Sequence, residues 1–183
     1  MSAVQSGIPL NAPPYDARAL ANSILQDAYQ FNIDLYSTSM LKILYFAHGW
    51  YLARFNTPLI GQPFEAWKHG PVIRVIYDQL KGMSGRKIER RFEIFDAVTK
   101  QYIAPEAHLT DADRSFIKFM LRAYSQFHPY ELSEMTHEVN SLGTRCGKLD
   151  QVEVRLECAS PINLYANISL HSTNRIYFGV LDY

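Results

Sequence analysis

Cysteine is scarce in this chain: Cys146 and Cys158 are the only two among 183 residues. Their placement fits neither a zinc-ligand spacing nor a disulfide framework, which points to a reducing compartment. Net charge is missing as well. Eighteen basic and eighteen acidic residues cancel, so affinity for nucleic acid or an anionic membrane would have to come from a local patch. No stretch approaches the ~18 consecutive apolar residues of a membrane span. The opening MSAVQSGIPLNAPPYD has neither the basic nor the apolar segment of a signal peptide. The expectation is a soluble, cytoplasmic protein of bacterial type.

Reactive motifs are lacking too. The six histidines, His48, His69, His108, His128, His137 and His171, form no HExxH and no ligand pair on one helical face. There is no GxSxG elbow, no SxxK, no GxxxxGK[ST] and no GxGxxG. The carboxylates are scattered over helix faces. These residues leave an enzyme unsupported, and a metal site could only be assembled from distant positions.

What is plentiful is apolar and aromatic surface, 48% and 13% of residues, enough for a single domain with a full core. Residues 1–14 read as a loose lead-in. From Asp16, a good N-cap, Ala17, Leu20, Ala21, Ile24, Leu25 and Ala28 recur at helical spacing up to about Phe31. A second helix is expected after Ser37 or Thr38, either of which can cap it. Leu41, Leu44, Tyr45, His48, Leu52 and Phe55 form its stripe, widened by Trp50 and Tyr51. Such a helix is central and buried on more than one side. His48 on that stripe reads as a core residue with one ring nitrogen hydrogen-bonded. Asn56-Thr57-Pro58 ends the helix.

Residues 59–69 read as a short β-strand or a hairpin around Gly61-Gln62. Alternation sets Glu65, Trp67 and His69 on the face opposite Phe64, Ala66 and Lys68. Pro71 is placed in the first turn of a third helix, carrying Val72, Val75, Ile76 and Leu80 and ending near Lys81-Gly82. A long connection with at most short strands follows. Its KGMSGRKIERR segment holds Lys81, Arg86, Lys87, Arg90 and Arg91, a basic loop suited to phosphates or to an acidic protein surface, or a plain solvated connector. Thr110 and Asp113 suggest a capping box for a helix through Phe116, Phe119, Met120, Ala123, Tyr124 and Phe127. His128-Pro129 breaks it, and PYELSEMTHEV forms a shorter helix. The fold class is thus mainly α, with a short β element around residues 59–69.

Three segments taken together resemble the Panacea domain, the SocA-like antitoxin family associated with phages and bacteria. The stretch MLKILYFAHGWYLARFNTPLIGQPFEAWKHGPVIRVIYDQLKG carries the family's pattern at Lys42, Leu44, Tyr45, Leu59, Phe64, Ala66, Trp67, Gly70, Pro71, Val72 and Tyr77. DARALANSIL matches the family's opening helix, and YELSEMTHEV its later element at Leu132, Ser133, Thr136 and His137. The resemblance covers about residues 16–140. It implies an antitoxin domain, residues 15–140, that binds and neutralises a cognate protein toxin encoded by a neighbouring gene, without catalysis or cofactor. One member of the family acts instead as an adaptor delivering its toxin to a ClpXP-type protease, and that is the alternative, beside a nucleic-acid-binding role. Trp67 is expected to anchor strand to helices. Lys68, His69, Arg74 and Tyr77, with the basic loop, are the expected partner contacts.

The tail departs from the family, which continues with a Pro-Trp pair where this chain has SLGTRCGKLD, residues 141–150. Codons exist for those ten residues whose shifted frame reads Pro-Trp-His-Glu-Val-Trp-Lys-Ala-Arg. The expectation is an atypical, frameshifted tail over residues 141–183; codons that cannot give Pro-Trp in another frame would contradict it.

Overall fold

In the computed structural model, the described residues are 12–83 and 86–136; the tail after 140 and His137 lie outside them. Five helices and two small antiparallel hairpins make up this part, a mainly α fold. No helix among the described residues is long and apolar enough to cross a membrane.

Helix α1 (Ala17–Gln30) starts where Asp16 accepts a hydrogen bond from the Arg18 backbone N–H. Gln62 braces this cap, donating to Asp16 and accepting from the Ala17 N–H. The preceding residue, Tyr15, is buried and pairs in parallel with Ile60, so the chain just before α1 is tied to the segment after α2.

Helix α2 (Ser37–Phe55) is the central element, packed against α1, α3, α4, α5 and β2. Its buried residues run almost without interruption from Ser39 to Ala47, so a single apolar stripe understates it. Each fully buried Ile or Leu there contributes roughly 1.5–3 kcal/mol of transfer free energy. Neither Ser37 nor Thr38 caps it. The cap position is Tyr36, which makes no side-chain cap bond, because the neighbouring loop pairs instead through a Tyr36–Lys87 bridge and the Ile88 N–H to Leu35 carbonyl bond. Asn56 ends α2 in the left-handed region, at φ 50°.

The first hairpin lies slightly later than expected. Strands β1 (Glu65–Trp67) and β2 (Gly70–Val72) turn at Lys68-His69, not at Gly61-Gln62. Pro71 consequently sits inside β2 opposite Ala66 and does not begin a helix. A two-stranded hairpin needs no N–H on its outer edge, so proline is tolerated there. Helix α3 (Arg74–Leu80) starts three residues further on. The basic stretch leads into a second hairpin, β3 (Ile94–Asp96) paired with β4 (Gln101–Ile103).

Helix α4 (Asp111–Tyr124) is capped by Thr110, whose hydroxyl accepts from the Asp113 N–H. The reciprocal half of the expected capping box is not formed, because the Asp113 carboxylate turns inward. There it accepts from the hydroxyls of Tyr15 at 2.6 Å and Tyr51 at 2.7 Å. Phe46 of α2 stacks on Tyr124 of α4, and Trp50 donates to the Tyr124 hydroxyl. Helix α5 (Pro129–Met135) starts at a true capping box formed by His128 and Glu131.

One buried side chain roots the second hairpin. Asn22 of α1 accepts from the Phe92 N–H and donates to the carbonyls of Phe92 and Pro105. It thereby clamps both ends of the segment containing β3 and β4. Asn22→Ala is expected to cost about 2 kcal/mol, since it strands buried backbone groups. Urea titration reads this as a lower midpoint, and hydrogen exchange as loss of protection at the Phe92 N–H.

Candidate functional site

The motif residues converge on the corner where the β1–β2 hairpin meets α2 and α5. Lys42 enters it as the one charge in the apolar run MLKILYFA. It is only 2% exposed. Its ammonium donates to the His69 carbonyl at 2.7 Å and the Pro71 carbonyl at 3.3 Å, holding both sides of the hairpin turn. Ser133 of α5 donates to the same His69 carbonyl, and Thr136 donates to the Ser133 carbonyl. Gly70 lies between them at φ 94°. A Cβ there would fall 2.4 Å from the Thr136 hydroxyl and 2.5 Å from Lys42 Nζ. The Lys-Gly-Thr set is therefore a latch fastening the hairpin to two helices.

Burial pushes the Lys42 ammonium down to about 8. A lysine so shifted is a candidate nucleophile in an open cleft. Here its nitrogen is bonded to two carbonyls and packed against Gly70 and Thr136, which leaves no room for a substrate carbonyl. Its bonds are structural.

The outer face is different in character. Glu65 accepts two hydrogen bonds from the Arg74 guanidinium, at 3.1 and 2.7 Å, and one from the Trp67 indole at 2.8 Å. The Arg74 and Trp67 bonds hold the Glu65 carboxyl below its ordinary range. The Arg74 guanidinium also lies over the Trp67 ring, 4.7 Å from its centre, and Tyr77 meets the same ring edge-to-face at 4.6 Å. Trp67 is half-buried, while Lys68 and His69 are exposed at the turn. Of the four expected contact residues, Arg74 and Tyr77 thus share one aromatic cluster, and Lys68 and His69 form the adjoining tip. Tyr45 is buried beneath Phe64 and belongs to the core.

His48 is half-buried, and its Nδ1 accepts from the Ile60 N–H at 3.2 Å, as expected for a structural histidine. Burial pushes it down to about 4. The unfolded chain takes up this proton from about pH 6.5 downward and the folded chain only near pH 4, so stability falls with acidification across that window. By pH 5 the loss from this group is about 2 kcal/mol. His48→Gln, which keeps an acceptor but cannot titrate, is expected to flatten that part of a stability–pH profile.

No group of three or more His, Cys, Asp or Glu among the described residues could hold a metal ion. Three determinants escaped the sequence reading: the Glu65 fork, the Asp113–tyrosine pair and the Asn22 clamp. Lys42 did carry a signal, as a lone charge amid buried neighbours. The other three depend on partners that helical periodicity does not reveal.

Comparison with known proteins bears on this corner directly. Residues 40–141 match the family described as "Antitoxin SocA-like, Panacea domain", more than half of the chain. "Antitoxin SocA" of Caulobacter vibrioides (strain NA1000 / CB15N) is 45% identical over 71 residues. That match covers 38% of this chain and 38% of the relative, well under half of either. No solved structure matches the chain.

Proposed function

The chain belongs to the SocA-like antitoxin, Panacea-domain family, and on that premise we propose that it neutralises a cognate protein toxin by direct contact. The observation that carries this reading is the family match over residues 40–141, which includes the corner, its latch and both hairpins. Steric occlusion of a toxin needs an interface of about 1,600 Å² in total and no chemistry from this chain. The Trp67–Arg74–Tyr77 cluster supports such a role. Its guanidinium is already fixed by Glu65 and the indole, so little side-chain freedom remains to be lost on binding. Lys68, His69, Arg74 and Tyr77 are the proposed contacts on this face, and the toxin is taken to be the product of an adjacent gene.

Co-expression tests the proposal. The neighbouring product is expected to arrest growth alone and to be harmless with this chain; a neighbour harmless by itself contradicts the reading. Lys68→Glu combined with His69→Glu, both at exposed positions, is expected to weaken binding by about tenfold through charge reversal at the rim. Unchanged affinity would place the contact elsewhere.

A further inference from the structure

Seven large apolar side chains stand exposed among the described residues, and four of them, Phe95, Val98, Tyr102 and Ile103, belong to the β3–β4 hairpin. Val98 at the turn is 89% exposed and Tyr102 is 70% exposed. Phe95 and Tyr102 pair across the strands edge-to-face, 5.4 Å apart. The two strands pack chiefly on each other. A short two-stranded ribbon is marginal alone in water, yet this one is rooted firmly. Asn22 clamps its base to α1, and the Gln79 side chain of α3 bonds both the N–H and the carbonyl of Glu93. An arm held at its root with apolar groups at its tip has the form of a docking element, since clustered exposed apolar groups mark interaction sites.

Its charge selects among occupants. Residues 86–103 carry five cations, Arg86, Lys87, Arg90, Arg91 and Lys100, against the carboxylates Glu89, Glu93 and Asp96. Lys87 and Arg91 already pair with Asp34 and Glu106. The cation on the hairpin itself is Lys100, which makes no ion pair among the described residues. Asp96 is engaged within the turn by the Val98 N–H and the Thr99 hydroxyl. A second copy of this chain would bring Lys100 against the same cation, whereas a carboxylate at the rim of a cleft would complement it. One cation at the hairpin tip offers a nucleic acid little of the multiple phosphate pairing that its binding needs. Continuity favours the toxin as occupant. Arg74 begins α3 at the corner and Gln79 holds the hairpin root near its other end, a separation of about 8 Å along the axis. One partner of ordinary interface size reaches both.

We propose that the β3–β4 hairpin is a second grip on the toxin, entering an apolar cleft rimmed by carboxylates. This rests on the antitoxin reading above. The test measures binding of the purified adjacent-gene product to the full chain. Phe95→Ser with Tyr102→Ser is expected to weaken affinity about thirtyfold, the scale of an interface hot spot. Because that pair also supports the ribbon, Val98→Asp and Lys100→Glu are measured separately. Each is expected to lose about tenfold in affinity with Tm unchanged. Affinities equal to the unaltered chain's for Val98→Asp and Lys100→Glu overturn the hairpin proposal and leave the antitoxin reading standing. Failure of the unaltered chain to bind overturns both. A dimer in sedimentation that Val98→Asp converts to monomer would assign the hairpin to a second copy and overturn the proposal. Retention of a mixed-sequence single-stranded RNA, lost in Lys100→Glu, would overturn it equally.

Discussion

Gly70→Ala is expected to destabilise the protein by about 3 kcal/mol or more, lowering Tm by roughly 6–12 °C for a domain of this size. Two costs act together. The backbone there has φ 94°, a conformation that side chains with a Cβ rarely adopt. The added methyl would also sit 2.4 Å from the Thr136 hydroxyl and 2.5 Å from Lys42 Nζ. A lysine terminus normally yields to such pressure. This one is buried and bonded to the His69 and Pro71 carbonyls, so moving it breaks the latch. Gly82 is the internal comparison. It also has positive φ, 81°, but no described residue lies within 4 Å of its hypothetical Cβ. Gly82→Ala therefore incurs only the backbone cost, about 1 kcal/mol. Thermal unfolding of the two variants side by side checks the claim, and equal losses would refute the latch.

Asp113→Ala is the second large effect, about 3 kcal/mol. The carboxylate is buried and accepts from two tyrosine hydroxyls on separate segments, Tyr15 before α1 and Tyr51 on α2. Burial first, and then the bond to Asp113, raises both phenols above their ordinary value. Removing the acceptor leaves two hydroxyls without it, each costing ~1–3 kcal/mol. The Thr110 cap survives, since its hydroxyl accepts from the Asp113 backbone N–H. Much of the loss should thus be recovered in Asp113→Ala/Tyr51→Phe, where one stranded hydroxyl is gone. A double-mutant cycle in urea reads this as a coupling of about 1 kcal/mol; strict additivity would show that the pair is not an energetic unit.

These two sites mark the boundary of what the sequence discloses. Helix limits at Asp16, Asn56, Thr110 and His128 are legible because capping is local chemistry, readable within four residues. The central place of α2 follows from aromatic and apolar residues all round it. The hairpin turn is displaced to Lys68-His69 because Gly61-Gln62, a plausible turn by composition, is held instead by Tyr15, Asp16 and Ala17. Pro71 misleads for a related reason: proline suits both a first helical turn and an outer strand edge, and only the pairing with Ala66 decides. Asp113 and Asn22 are opaque because their partners lie 62 to 98 residues and 70 to 83 residues away. The corner residues were recognisable by resemblance, yet their division into a buried latch and an exposed cluster needed the three-dimensional arrangement.

That division shapes the functional account. Lys42, Gly70 and Thr136 hold the corner, and Lys68, His69, Arg74 and Tyr77 are the contacts proposed for a partner. Neutralisation by occupancy has a direct measurement: titrating the purified adjacent-gene toxin with this chain, with no protease and no nucleotide present. The account predicts that toxin activity falls to baseline at a fixed molar ratio while the toxin stays full-length. Activity that persists in large excess of this chain, and disappears only when a ClpXP-type protease is added, would contradict it.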